Sequence, residues 1–106
     1  MSSFDEREKA HENRYAREQE LEFKANARRN KMLGLWAAEK LGLSGDEAES
    51  YAGEVVAADL EEAGDEDVFR KVRKDFDAKG VAVSDVELRH EMTRLLDQAR
   101  AAVREG

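Results

Sequence analysis

Apolar side chains recur at helical spacing through most of this chain and are sparse near its start. Val68, Phe69, Val72 and Phe76 fall on one face, as do Leu88, Met92, Leu95, Leu96, Ala99 and Val103. A weaker row, Tyr51, Val55, Val56, Ala58 and Leu60, interrupts an acidic stretch. Residues 31–41 are apolar around nearly the whole circumference, which suits a helix touching several neighbours. The spacing predicts helices over 20–41, 45–63, 66–78 and 85–104.

Their ends are marked as well. Ser44-Gly-Asp-Glu47 and Ser84-Asp-Val-Glu87 read as capping boxes, with Val83 and Leu88 placed for a hydrophobic staple, and Ser3 to Glu6 offers a third box. Gly42, Gly64 and Gly80 stand where a left-handed residue would close each preceding helix. Gly34 lies inside a predicted helix and is expected to permit a close approach, against Trp36 or Tyr51. The chain has no proline, which helices joined by glycine caps tolerate easily. The fold class that follows is all-α: a four-helix bundle with a charged N-terminal arm, flexible or helical.

The arm differs in kind. Between residues 4 and 20 the sizeable apolar side chains are Phe4 and Tyr15, so it has little to dock on a core of its own. Its composition favours helix, but a lone helix of this length is marginal in water. It either extends the first helix into solvent or orders on binding. Phe4, Glu8, His11 and Tyr15 recur at intervals of 4, 3 and 4 and form a thin stripe. Asp5, Arg7 and Arg14 are among its charged flanks. Few anchors and many charges suit a helix that seats in a partner's groove, and a solvated extension without a partner is the plainer alternative.

Charge narrows the partners. The net charge of −7 argues against non-specific nucleic-acid binding. Residues 43–67 carry 10 acids and no base, while 68–79 carry 5 bases and 2 acids. Such blocks fit solvated helix faces first and attraction between helices second. No apolar run is long enough to span a membrane, and residues 1–20 lack the apolar stretch of a secretory signal. The absence of cysteine excludes disulfides and thiol chemistry. A soluble, intracellular protein, monomeric when free, is expected.

Catalytic templates find no match: there is no phosphate loop, nucleophile elbow or paired-histidine metal motif. The acids of the second segment do not reproduce a calcium loop. No enzymatic activity, cofactor or metal is therefore expected. His11 and His90 read as solvated. A weak purine-nucleotide site could be built from Trp36 and Tyr51, as stacking surfaces, with Arg70, Arg73 and Lys74 on one exposed face. The plainer reading puts the aromatics in the core and pairs the bases with acids of the second helix.

Longer strings are specific enough to compare with known families. Phe4-Asp-Glu-Arg-Glu-Lys-Ala10, Arg28-Arg-Asn-Lys31, Leu33 to Gly42, Glu66 to Phe76 and Gly80 to Ser84 together resemble the zeta subunit, the ATPase inhibitor of alphaproteobacterial ATP synthases. The resemblance implies a four-helix bundle over 20–106 and an inhibitory arm over 1–19. It further implies insertion of that arm into the catalytic head, among its alpha, beta and gamma subunits, to limit ATP hydrolysis. The partner would place the protein in the cytoplasm, held at the inner membrane through the synthase.

Overall fold

The structure, a computed structural model, describes residues 2–59 and 65–105, with side chains from residue 17 onward. Its helices are α1 (Ser2–Lys40), α2 (Asp46–Ala58), α3 (Asp65–Lys79) and α4 (Asp85–Glu105), and no strand occurs among the described residues. The all-α bundle predicted from apolar spacing is what forms. α2, however, stops at Ala58, five residues short of the predicted end. Leu60 and Gly64, assigned to its face and its stop, lie outside the described residues.

Two of the three predicted glycine stops act as expected. Gly42 has φ of 79° and Gly80 has φ of 69°, the left-handed region that glycine enters without steric cost. At each, two backbone bonds close the helix. Leu43 N donates to Ala38 O at 2.8 Å and Gly42 N to Glu39 O at 3.1 Å; Val81 N donates to Phe76 O at 2.9 Å and Gly80 N to Asp77 O at 3.2 Å. The residue after each glycine, Leu43 or Val81, then turns inward onto the core, completing a Schellman ending.

The starts divide. Ser84 Oγ accepts the Glu87 backbone N–H at 3.1 Å, the serine's half of the box, and both Val83 and Leu88 are buried, as the staple requires. Ser44 does not cap α2. Gly45 takes the N-cap position with φ of 57° and no side-chain bond, so the acids of the first turn, Asp46, Glu47 and Glu49, are left to complement the free N–H groups. Ser3 falls inside α1 instead of before it.

α1 is the axis of the bundle and packs mainly against α2 and α4. Leu33, Gly34, Ala37 and Ala38 are buried, while Met32, Leu35, Trp36 and Leu41 are half-buried. An encircling apolar stretch is what contact with several helices demands. Gly34 meets α2 at Ala52, not at Trp36 or Tyr51: a β-carbon there would stand 2.5 Å from the Ala52 Cα. The two small residues let the backbones nearly touch. Val68, Phe69, Val72 and Phe76 of α3 and Leu88, Met92, Leu95 and Ala99 of α4 fill the remaining core.

Candidate functional site

α4 runs antiparallel to α1. Arg100, near its end, meets Glu22, and its last residues share one cleft with Arg17, Glu18 and Leu21. α1 does not stop there but continues back to Ser2 without a break. At 1.5 Å per residue its 39 residues measure about 58 Å, most of the molecule's 65 Å length. The helix therefore outruns its partner by some fifteen residues, through the boundary expected at 19/20.

The stem beneath that extension is clamped. Arg100 grips the Glu22 carboxylate side-on, Nη2 donating at 2.6 Å and Nε at 3.1 Å to Oε1. That hydrogen bond, and the guanidinium charge behind it, holds the Glu22 carboxyl below its ordinary value of 4.5. One turn further, Asn26 Nδ2 donates to the Glu22 backbone carbonyl at 2.9 Å. Arg29 is almost wholly buried. Its Nε donates to Asn30 Oδ1 at 2.6 Å and its Nη2 to Asp65 Oδ1, at the start of α3, at 2.8 Å. A buried guanidinium persists only with such partners. Asn30 keeps one buried donor, Nδ2, without a partner among the described residues. Sequence reasoning missed this polar layer because nothing in the string Arg28-Arg-Asn-Lys31 separates the exposed Arg28 from the buried Arg29.

All seven arm residues singled out from sequence, Phe4, Asp5, Arg7, Glu8, His11, Arg14 and Tyr15, belong to α1. Their side chains lie outside the described ones. The backbone nonetheless fixes that they share one uninterrupted helix with the stem, the first of the two forms expected for the arm.

The second group is not drawn together. Tyr51 is buried, and its hydroxyl donates to Asp75 Oδ2 at 2.8 Å beneath the Lys71 ammonium. Burial and that carboxylate push the phenol far above its ordinary 10.0. Trp36 lies at the edge of the core, its ring edge-on to Phe76 at 5.9 Å with Lys40 over its other side. Arg73 is drawn inward: it donates to the Val83 carbonyl at 2.5 Å and to Asp85 at 3.1 Å, and pairs with Asp77. Arg70 pairs with Asp67 of its own helix. Among the described residues the bases of α3 answer mainly to α3 and the start of α4, whereas pairing with α2 was expected; Lys71 reaches Glu54 of α2 at 3.8 Å. Arg70 and Lys74 border a shallow surface between α2 and α3 that includes neither aromatic.

Beside the stem a cleft of about 190 Å³ gathers Arg29, Arg89 and Arg100. Each of these bases already holds a carboxylate, Asp65, Glu66 and Glu22 respectively. His90 is exposed, as expected of a solvated histidine. Among the described residues no group of three or more His, Cys, Asp or Glu could hold a metal ion. None of the described helices is long and apolar enough to cross a membrane.

Comparison with known proteins bears on this geometry. The family model described as ATPase inhibitor subunit zeta matches residues 1–102. A protein whose structure was solved by solution NMR is 53% identical and superposes with a TM-score of 0.71, over 80% of this chain and 96% of that one. Among curated proteins none matches.

Proposed function

The chain belongs to the ATPase inhibitor subunit zeta family, and from that premise we propose that it restrains ATP hydrolysis by inserting the free end of α1 into the catalytic head of an ATP synthase. The observation that carries the reading is the unequal length of α1 and α4. A helix that continues some fifteen residues beyond its packing partner can enter another protein while its bundle stays folded.

Coupled ordering would otherwise consume several kcal/mol of the interaction energy. Much of that cost comes from nucleating a helix, and here the nucleus exists already, because the clamped stem at Glu22 and Arg29 propagates into the arm. Phe4 and Tyr15 are the anchors. Asp5, Arg7, Glu8, His11 and Arg14 match partner charges and set orientation. Rotation in the hydrolysis direction closes the catalytic interface on the helix and is arrested by it. This chain contributes no chemistry. It removes one conformation from a cycling machine.

Phe4→Ala and Tyr15→Ala each weaken inhibition by about 2 kcal/mol, roughly thirtyfold, as desolvated aromatic anchors do; Lys9→Gln acts mainly on the association rate. Inhibition curves of ATP hydrolysis at two salt concentrations, with a thermal melt for each variant, measure this. Full potency in the Phe4→Ala, Tyr15→Ala double variant would rule out the anchored helix.

A further inference from the structure

We propose that the surface α1 offers to the synthase does not end with the arm. It continues onto the shoulder of the bundle, where Phe23 forms a third anchor and Lys24, Arg28 and Lys31 a basic rim, and it seats on an apolar hollow edged with carboxylates on the catalytic head. The inference rests on the reading above that the arm engages that head.

Phe23 is 70% exposed, and the other exposed large apolar side chain described, Val86, stands at the start of α4, near the far end of the molecule. A single exposed apolar residue needs no explanation in itself. The position of this one does. From Tyr15 four-residue steps lead through Gln19 to Phe23 along one inclined ridge, which brings Phe23 about 80° round the helix from Tyr15. Because α1 is unbroken, Phe23 stands about 12 Å along the axis from Tyr15 and about 28 Å from Phe4. That ridge crosses from the arm onto the folded stem, so the surface around Phe23 adjoins the one proposed above, about a quarter-turn round the helix.

The flank supplies the second observation. Lys24, Arg28 and Lys31 follow one another at steps of 4 and 3, forming a row beside Phe23, and all three are exposed. Lys24 lies 3.3 Å from Glu20, but Arg28 and Lys31 have no ion partner among the described residues. From Lys24 to Ala38 the sequence contains no acid, in a protein of net charge −7. Such a row favours a partner surface of opposite sign. An anionic lipid surface could also attract one phenylalanine and three bases. It is disfavoured here, because so small a patch binds lipid marginally and the remainder of the molecule would be repelled.

The test uses the full-length protein against its own organism's ATP synthase. Hydrolysis is titrated with the wild type, Phe23→Ala, Phe23→Leu and the Arg28→Gln, Lys31→Gln double variant, each also melted and floated with phosphatidylserine-containing vesicles. Phe23→Ala is expected to weaken inhibition about tenfold with an unchanged melt, and Phe23→Leu to recover most of the loss. The double variant loses potency at low salt and converges on the wild type at high salt. If the wild type inhibits and Phe23→Ala equals it within twofold, the footprint ends with the arm and the inference fails. Vesicle binding that disappears in Phe23→Ala while inhibition stays intact overturns it in favour of a membrane. A wild type that does not inhibit overturns the arm's role, and this extension with it.

Discussion

At Gly34 a β-carbon would sit 2.5 Å from a backbone atom of the facing helix, a separation that side-chain rearrangement cannot relieve. Gly34→Ala therefore forces α1 and α2 apart and costs about 2 kcal/mol, within the usual range for overpacking. A melting temperature lowered by about 10 °C is expected; one within 2 °C or so of the wild type would mean that the helices do not meet there. The gain in helix propensity from replacing glycine is only about 1 kcal/mol and does not reverse the sign. Trp36 calls for the opposite treatment. Its ring is half-buried at the rim of the core against Phe76, so Trp36→Ala loses about 2–3 kcal/mol, less than a fully enclosed indole would. Denaturant unfolding measures this, and a change below about 1 kcal/mol would place the ring outside the packed core. Of these two residues, Gly34 was legible in the sequence as a close approach but its partner was not. Ala52 carries no apolar signal strong enough to be read. Trp36 was readable as core, though not as its edge, because periodicity reports which face a residue occupies and not how far a neighbouring helix covers it.

Between elements, the clearest feature is the bidentate contact of Arg100 on α4 with Glu22 on α1. The contact depresses the Glu22 carboxyl below its ordinary 4.5, so its contribution to stability is complete above that value. As pH falls through the lower folded value, the carboxylate takes up a proton and the contribution disappears. Both side chains are nearly half exposed, which limits the pair to about 1 kcal/mol after solvent screening. Glu22→Gln should lower unfolding free energy by that amount at pH 7 and by nothing measurable in strong acid. A difference that persists in acid would assign Glu22 a packing role. Neither partner stood out in sequence, since Glu22 and Arg100 are 78 residues apart and pairing across that distance leaves no local pattern. The helices themselves were legible because their signals are local. The apolar rows of α3 and α4 and the glycines at 42 and 80 lie within a turn or two of what they specify. The cap assigned to Ser44 failed for the same reason in reverse: Gly45, one residue later, enters a positive φ that moves the helix start past the serine.

For the whole molecule, one helix serves two purposes. Its C-terminal half forms the axis of a small bundle, and its N-terminal half runs on beyond α4 as a lever. Sequence suggests such a division, because an arm with two sizeable apolar side chains has no claim on a core. Whether the arm would be helical was left open, since composition favoured helix and length did not. Continuity with a clamped stem favours the helix, by supplying the nucleus that an isolated segment lacks. The division has a direct consequence. Removing residues 1–19 deletes the lever and leaves the Glu22 clamp, Arg29, Leu33 and the rest of the described core in place. The decisive measurement titrates full-length and 20–106 proteins into the ATP synthase of the same organism, following hydrolysis and synthesis separately, with a thermal melt of each protein. Hydrolysis should fall with the full-length protein while synthesis proceeds, and the truncated protein should melt cooperatively near the same temperature without inhibiting. A truncated protein that inhibits as well as the full chain would place the inhibitory surface on the bundle and contradict the account.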